Sequence, residues 1–246
     1  MRFVFLLLIV CRCAMLPCFA DAGDLSDKER ARQSYVSTQA RFEIHPNDFE
    51  TAWQFARAAF DWAEFASDKK QRETIALRGI AAARRAVEVR PESAEAHYYL
   101  AMNLGQLART RSLGALKLVD EMEAEFKKAR ELDNSFDYAG PDRNLGILYL
   151  EAPATISVGD RAKARKHLAE SVKLSPHYPS NRLNLIEAFL KWNDPKSAQV
   201  EMKELDKIWA AARKEFDGPE WKGSWVEWEQ QRERFRARIQ SMLPRR

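Results

Sequence analysis

Residues 139–206 read AGPDRNLGILYLEAPATISVGDRAKARKHLAESVKLSPHYPSNRLNLIEAFLKWNDPKSAQVEMKELD. Leu145, Gly146 and Tyr149 fall on one face of a helix, because neighbours at three and four residues lie above one another. Fifteen residues beyond Tyr149 stands Ala164, followed by Leu168 and Ser171 at steps of four and three, and by Pro176 five residues later. Each residue type has a physical reason. A glycine at 146 lets two helices cross too closely for a larger side chain, Tyr149 and Leu168 fill the space between them, and Pro176 prevents the second helix from continuing.

The same order recurs in register. A unit starting three residues after Pro176 places Leu185, Ile186, Phe189 and Ala198 at the equivalent positions. The unit before Ala139 offers Leu100, Ala101 and Leu104, then Phe126, Ala129 and Asn134, with asparagine in place of proline. A further unit carries Trp53, Phe55, Ala56 and Phe60, then Gly79, Ala83, Ala86 and Pro91. Four units therefore keep one phase from about residue 48 to 206, and the pattern resembles the tetratricopeptide repeat, a helical hairpin stacked on its neighbours. The expected architecture is all-α: a helical-hairpin solenoid of about four repeats (48–206), a lead-in (21–47) and a Trp-rich capping region or tail (207–246).

Composition agrees with a helical chain. Of 246 residues, 46% are hydrophobic and only nine are glycine, with Ala, Leu, Glu, Lys and Arg abundant. The start, MRFVFLLLIVCRCAMLPCFADAG, has Arg2, an apolar run from Phe3 to Val10 and small residues near Ala20. That is the pattern of a secretory signal peptide over 1–20, cut after Ala20, and it implies a periplasmic or secreted protein. Its apolar run is short for a membrane span and Arg12 interrupts it. A lipoprotein anchor would need a small residue before its cysteine, whereas Val10, Arg12 and Pro17 precede Cys11, Cys13 and Cys18. With all three cysteines in the leader, the mature chain has no thiols and tolerates an oxidising compartment.

The net charge of +4 falls closer to balance once Arg2 and Arg12 leave with the leader. A nucleic-acid partner is disfavoured on that ground. Residues 21–41, rich in Lys, Arg, Asp and Ser, read as flexible or loosely helical, followed by Asn47 and Asp48 as caps for an aromatic-rich helix. Three units carry extra residues between their two helices. Either those helices are longer than usual, or loops gather on one edge of the stack and form a lip over a binding surface. The tail holds Trp209, Trp221, Trp225 and Trp228 before QRERFRARIQSMLPRR, which fits a cap over the last repeat or a membrane-surface helix.

No glycine-rich phosphate loop, nucleophile elbow or paired histidines with metal spacing occurs, so the chain reads as non-enzymatic, with no metal and no cofactor. His97 stands where a packed aromatic is usual and reads as structural. The inner wall of the stack is expected to present Tyr98, Met102, Arg143, Ile147, Leu150, Leu183 and Glu187. In one reading Arg143 holds an anionic group, such as a carboxylate, while Tyr98, Met102, Ile147 and Leu183 contact an apolar body. In the other, Arg143 pairs with Glu187 and merely aligns neighbouring units.

Residues 70–206 also resemble the T-component family of bacterial TRAP transporters. The likeness rests on Gly140, Asp142, Arg143 and Gly146, on Tyr149 and Pro153, on the Gly159–Asp160 turn and on Pro176. It implies a periplasmic repeat protein, often lipid-anchored and oligomeric, that assists a solute-binding protein or binds an apolar ligand. A general protein-interaction scaffold of the cell envelope is the alternative, with membrane contact through a lipid anchor or the tail.

Overall fold

The computed structural model describes residues 25–111 and 114–243; the expected leader, 1–20, lies outside them. Four antiparallel hairpins form the stack: α2 (Phe49–Ala63) with α3 (Lys69–Val89), α4 (Ala94–Ala108) with α5 (Ala115–Leu132), α6 (Phe136–Glu151) with α7 (Arg161–Leu174), and α8 (Pro179–Lys191) with α9 (Pro195–Glu215). They are preceded by α1 (Asp27–Ile44) and followed by α10 (Lys222–Met242). Among the described residues there is no strand.

Caps written in the sequence set most of the starts. Asp48 accepts from the Thr51 N–H at 2.9 Å, Asp68 from Gln71 at 2.8 Å, and Asp194 from Ser197 at 3.1 Å. Ser93 does the same for Ala96 at 3.1 Å, and Asp160 serves both Ala162 and Lys163. Each such cap is worth about 1 kcal/mol. Asn47, expected to share in capping, instead accepts from Arg85 of α3.

The small residues of the repeat sit at the crossings. A Cβ on Gly146 would stand 2.6 Å from Leu168 Cγ, closer than real carbon contacts, so glycine is required where α6 meets α7. Ala101 and Ala164 are fully buried, as the repeat phase demands. The core divides into two large clusters, one spanning α1 to α7 and one spanning α7 to α10, with Leu150 and Trp192 packed against both, and a small third of Phe49, Ala52, Ala86 and Ala96. Buried polar groups tie the layers together. Asp142, fully buried, accepts from Arg130 Nε at 2.9 Å and faces His167 Nδ1 at 2.7 Å, linking α5, α6 and α7. His97 is structural: its ring nitrogens meet the Glu125 carboxylate and, at 2.9 Å, the Pro91 carbonyl.

Three features differ from the sequence reading. Residues 27–44 form a regular helix, not a loose lead-in, because Ser26 and Glu29 make a capping box and Ala31, Tyr35 and Thr38 are buried. Tyr35 meets the ring of Phe55 at 5.4 Å. The extra residues of the first two units mostly lengthen α3 and α5, to 21 and 18 residues, whereas those of the third make an irregular loop at 152–160. Finally, α9 runs straight past residue 206 to Glu215, so the last repeat shades into the cap.

The tail packs as a cap. Trp225, Trp228, Phe235 and Ile239 line the buried face of α10. Trp225 Nε1 donates to the Phe216 carbonyl and Trp228 Nε1 to Ser180 Oγ, both at 2.7 Å. These tryptophans are buried at 5% and 3% exposure, and Trp209 and Trp221 pack partly buried against the same cluster, so the tail is placed as the cap that the sequence allowed. At the start of α10, a side chain on Gly223 would collide with Asp27 of α1, so the first and last helices of the described chain touch.

Candidate binding groove

A groove of about 640 Å³ opens between α4, α5 and α6. Met102 and Gly105 of α4, Met122 and Phe126 of α5, and Ile147 and Leu148 of α6 form its apolar walls. Phe60 of α2 closes one side, and Ala152, Pro153 and Ser157 of the 152–160 loop form a lip. That volume lies within the usual range for ligand sites. Gly105 keeps the space open: a Cβ there would press to 3.1 Å from Met122 Cε. Two methionines on facing walls give a lining that repacks around different shapes.

The polar end is a small network. Arg109 Nη1 donates to both Glu64 oxygens at 2.9 and 3.1 Å, Gln106 Nε2 donates to Glu64, and Arg72 Nη1 donates to Gln106 Oε1 at 2.5 Å. Two arginines share the one carboxylate of Glu64, so this end keeps one net positive charge beside walls that are otherwise apolar.

Of the seven residues expected on the inner wall, the structure brings only Met102 and Ile147 into this groove. Tyr98 and Leu183 are buried at 1% exposure. Leu150 is half-buried between the two core clusters, and Glu187 pairs with Lys191 at 3.6 Å.

Arg143 follows neither sequence reading. It is 8% exposed, and its Nη2 donates to Asp137 Oδ2 at 2.6 Å. Its Nη1 donates to the carbonyls of Asp137 and Tyr138 at 3.0 and 3.2 Å and to Asn181 Oδ1 at 3.2 Å. Burial pulls its pKa down, but Tyr98 and Asp137 outweigh that and hold it above the ordinary value. Both terminal nitrogens of the guanidinium are thus engaged within the protein, and it makes no ion pair with Glu187.

What Arg143 holds is a left-handed turn. Asp137, Tyr138 and Ala139 have φ of 49°, 56° and 61°, and the right-handed part of α6 begins only after them, with Pro141 in its first turn. None is glycine, and each such residue costs about 1–2 kcal/mol. The turn persists because its groups are over-determined. Asn181 Nδ2 donates to the Tyr138 carbonyl at 3.0 Å, and Tyr98 OH donates to Asp137 Oδ2 at 2.6 Å. Tyr138 is thereby laid on Tyr178, with centroids 4.7 Å apart and planes at 14°.

Beside this turn the inner wall is polar. Crowding on the concave wall pushes the Asp61 carboxyl up to about 6 against the pull of Arg57, and Asp137 and Glu64 add to the rise. Its side chain keeps 45% exposure, so water screens much of this.

The sequence reading missed the α5 wall. Leu116, Val119, Met122 and Phe126 recur at steps of three and four, which marks one apolar helix face, but only first helices were expected to line the concave side.

Comparison with known proteins places this architecture. The crystal structure of TTC0263, a thermophilic TPR protein in Thermus thermophilus, superposes with a TM-score of 0.59 at 15% identity, covering 86% of this chain and 91% of that one. The crystal structure of MamA gives 0.52 at 16% identity, over 80% of this chain and 99% of that one. The fold is that of a tetratricopeptide-repeat protein. Residues 19–138, which include α1 to α5, match the family described as Regulator of microtubule dynamics protein 1-3. Among curated proteins, none matches the chain.

Proposed function

We propose that the chain is an exported, non-catalytic repeat module that holds an apolar stretch of a partner protein in the groove between α4, α5 and α6. The observation that carries the reading is the groove itself, an apolar space of about 640 Å³ walled by Met102, Met122, Phe126 and Ile147 and bounded by a loop. The non-catalytic part rests on the sequence, and export rests on the leader. Within the envelope, a solute-binding protein of a TRAP-type transporter is the finer assignment, supported by the motif from Gly140 to Pro176. A general envelope scaffold is the alternative.

Two measurements test this. The N-terminus of the exported chain, read by mass spectrometry, is expected at Asp21; a chain retained with residues 1–20 attached would remove export from the reading. Ile147→Glu places a carboxylate on the apolar wall, where burial without a partner is costly, and should cut recovery of the partner from envelope extract by about tenfold or more. Ile147 is only part-buried, so helicity by circular dichroism should be unchanged. Undiminished recovery would move the binding surface elsewhere. A second reading rests on the match over residues 19–138, namely an activity at microtubules. Cosedimentation of the chain with polymerised tubulin would favour it.

A further inference from the structure

The hairpin connections at 64–68, 152–160 and 192–194, and the described ends of the second at 109–111 and 114, lie on one edge of the stack. Neighbouring turns touch: Arg109 reaches Glu64 at 2.9 Å, Lys191 pairs with Glu151, and Arg161 covers the ring of Trp192 at 5.0 Å. On the far edge, α2 and α4 begin with Glu50 and Glu95 in their first turns, as the positive end of a helix prefers, while α8 has no acid there. The four helices that begin at the hairpin edge do the opposite. No acid occupies the first turn of α3, α5, α7 or α9, where Lys69, Lys70, Lys117, Arg161 and Lys196 stand instead.

Those five cations make no ion pair among the described residues. The acids nearest them, Asp68, Asp160 and Asp194, already accept from backbone N–H groups as caps. Aspartate at the N-cap meets the dipole in α3, α7 and α9, and at α5, capped by Gly114, positive charge stands at the helix start with no acid. Large apolar side chains stand among these charges: Phe65, Leu116 and Ile156 are 37%, 44% and 67% exposed, each at the tip of a different hairpin. The far edge also exposes Ile44 and Val89, but the first-turn charges of α2 and α4 there are acidic, Glu50 and Glu95, where those at the hairpin edge are basic.

We propose that the hairpin edge docks on an anionic phospholipid surface. Phe65, Leu116 and Ile156 enter the interface and the first-turn lysines and arginine lie at the level of the phosphates. Regularly spaced apolar tips among unpaired cations match that chemistry on both counts, whereas an acidic peptide would use only the charge. The contact is peripheral, since no described helix is long and apolar enough to cross a membrane. This surface shares Leu116 with the α5 wall of the groove, which opens beside it, whereas Phe65, Ile156 and the five cations lie outside that lining.

The test is sedimentation with vesicles, using the chain from Asp21 onward so that the apolar run 3–10 cannot itself seek the bilayer. Binding should be strong to phosphatidylglycerol mixed with phosphatidylcholine, weak to phosphatidylcholine alone, and weakened by salt. Each basic residue near an anionic surface contributes roughly fivefold, so Lys69→Ala, Lys117→Ala and Arg161→Ala together should lower affinity about a hundredfold. Leu116→Ser with Ile156→Ser should also lower it, while Ile44→Ser on the far edge should not. All of these side chains are exposed, so folding is preserved and circular dichroism verifies it. Equal binding to neutral and anionic vesicles, or no loss in either set of variants, overturns the proposal. So does retention of the chain by soluble polyglutamate with no binding to anionic vesicles, which would assign the edge to an acidic protein.

Discussion

Arg143→Ala should lower the free energy of unfolding by about 3–5 kcal/mol, the range found when one partner of a buried ion pair is removed. The loss has two sources. Asp137 keeps Tyr98 as a donor but loses its counter-charge, and the carbonyls of Asp137 and Tyr138 lose the guanidinium that holds them in the left-handed region. Lysine should rescue only in part, because a single ammonium cannot reproduce two planar N–H groups aimed at a carboxylate and two carbonyls. Urea denaturation measures both variants. A drop below about 1 kcal/mol in Arg143→Ala would mean that the turn is held mainly by Asn181 and Tyr98, and that Arg143 is dispensable there.

Trp228→Ala is the second large effect, with an expected loss of about 3–5 kcal/mol. The ring is 3% exposed, meets Trp225 at 4.9 Å and Tyr178 at 5.5 Å, and donates to Ser180 on the last repeat. Its removal opens a cavity at the seam between α8 and α10. Because the second core cluster depends on that seam, loss should begin there and leave α2 to α5 protected longer in amide exchange. Uniform loss of protection along the chain would show that the stack unfolds as one unit.

Much of the fold was legible because the repeat reports on packing directly. Gly146 and Leu168 are interpretable in sequence since each answers the other across one helix crossing, and the cap at Asp48 stands at the helix start itself. The site was less legible. Repeat phase says which face a residue takes, and it placed Arg143 on the inner side, but phase carries no information about who sits opposite. Asp137 lies three residues before the pattern begins, and nothing in FDYA announces a left-handed turn, because its cause, Asn181, is a distant residue in another repeat. The α5 wall was legible in principle from the spacing of Val119, Met122 and Phe126, yet only the loops around it leave that face uncovered.

The meeting of Asp27 with Gly223 has a mechanical meaning. An open stack of hairpins behaves as a spring, widening or narrowing its bore with little resistance, since each layer rotates slightly on the next. A stack whose two ends lean on each other cannot widen without parting them. Any guest that opens the bore must first draw the Asp27 side chain away from Gly223, so widening begins by undoing this one contact at the seam of the two ends.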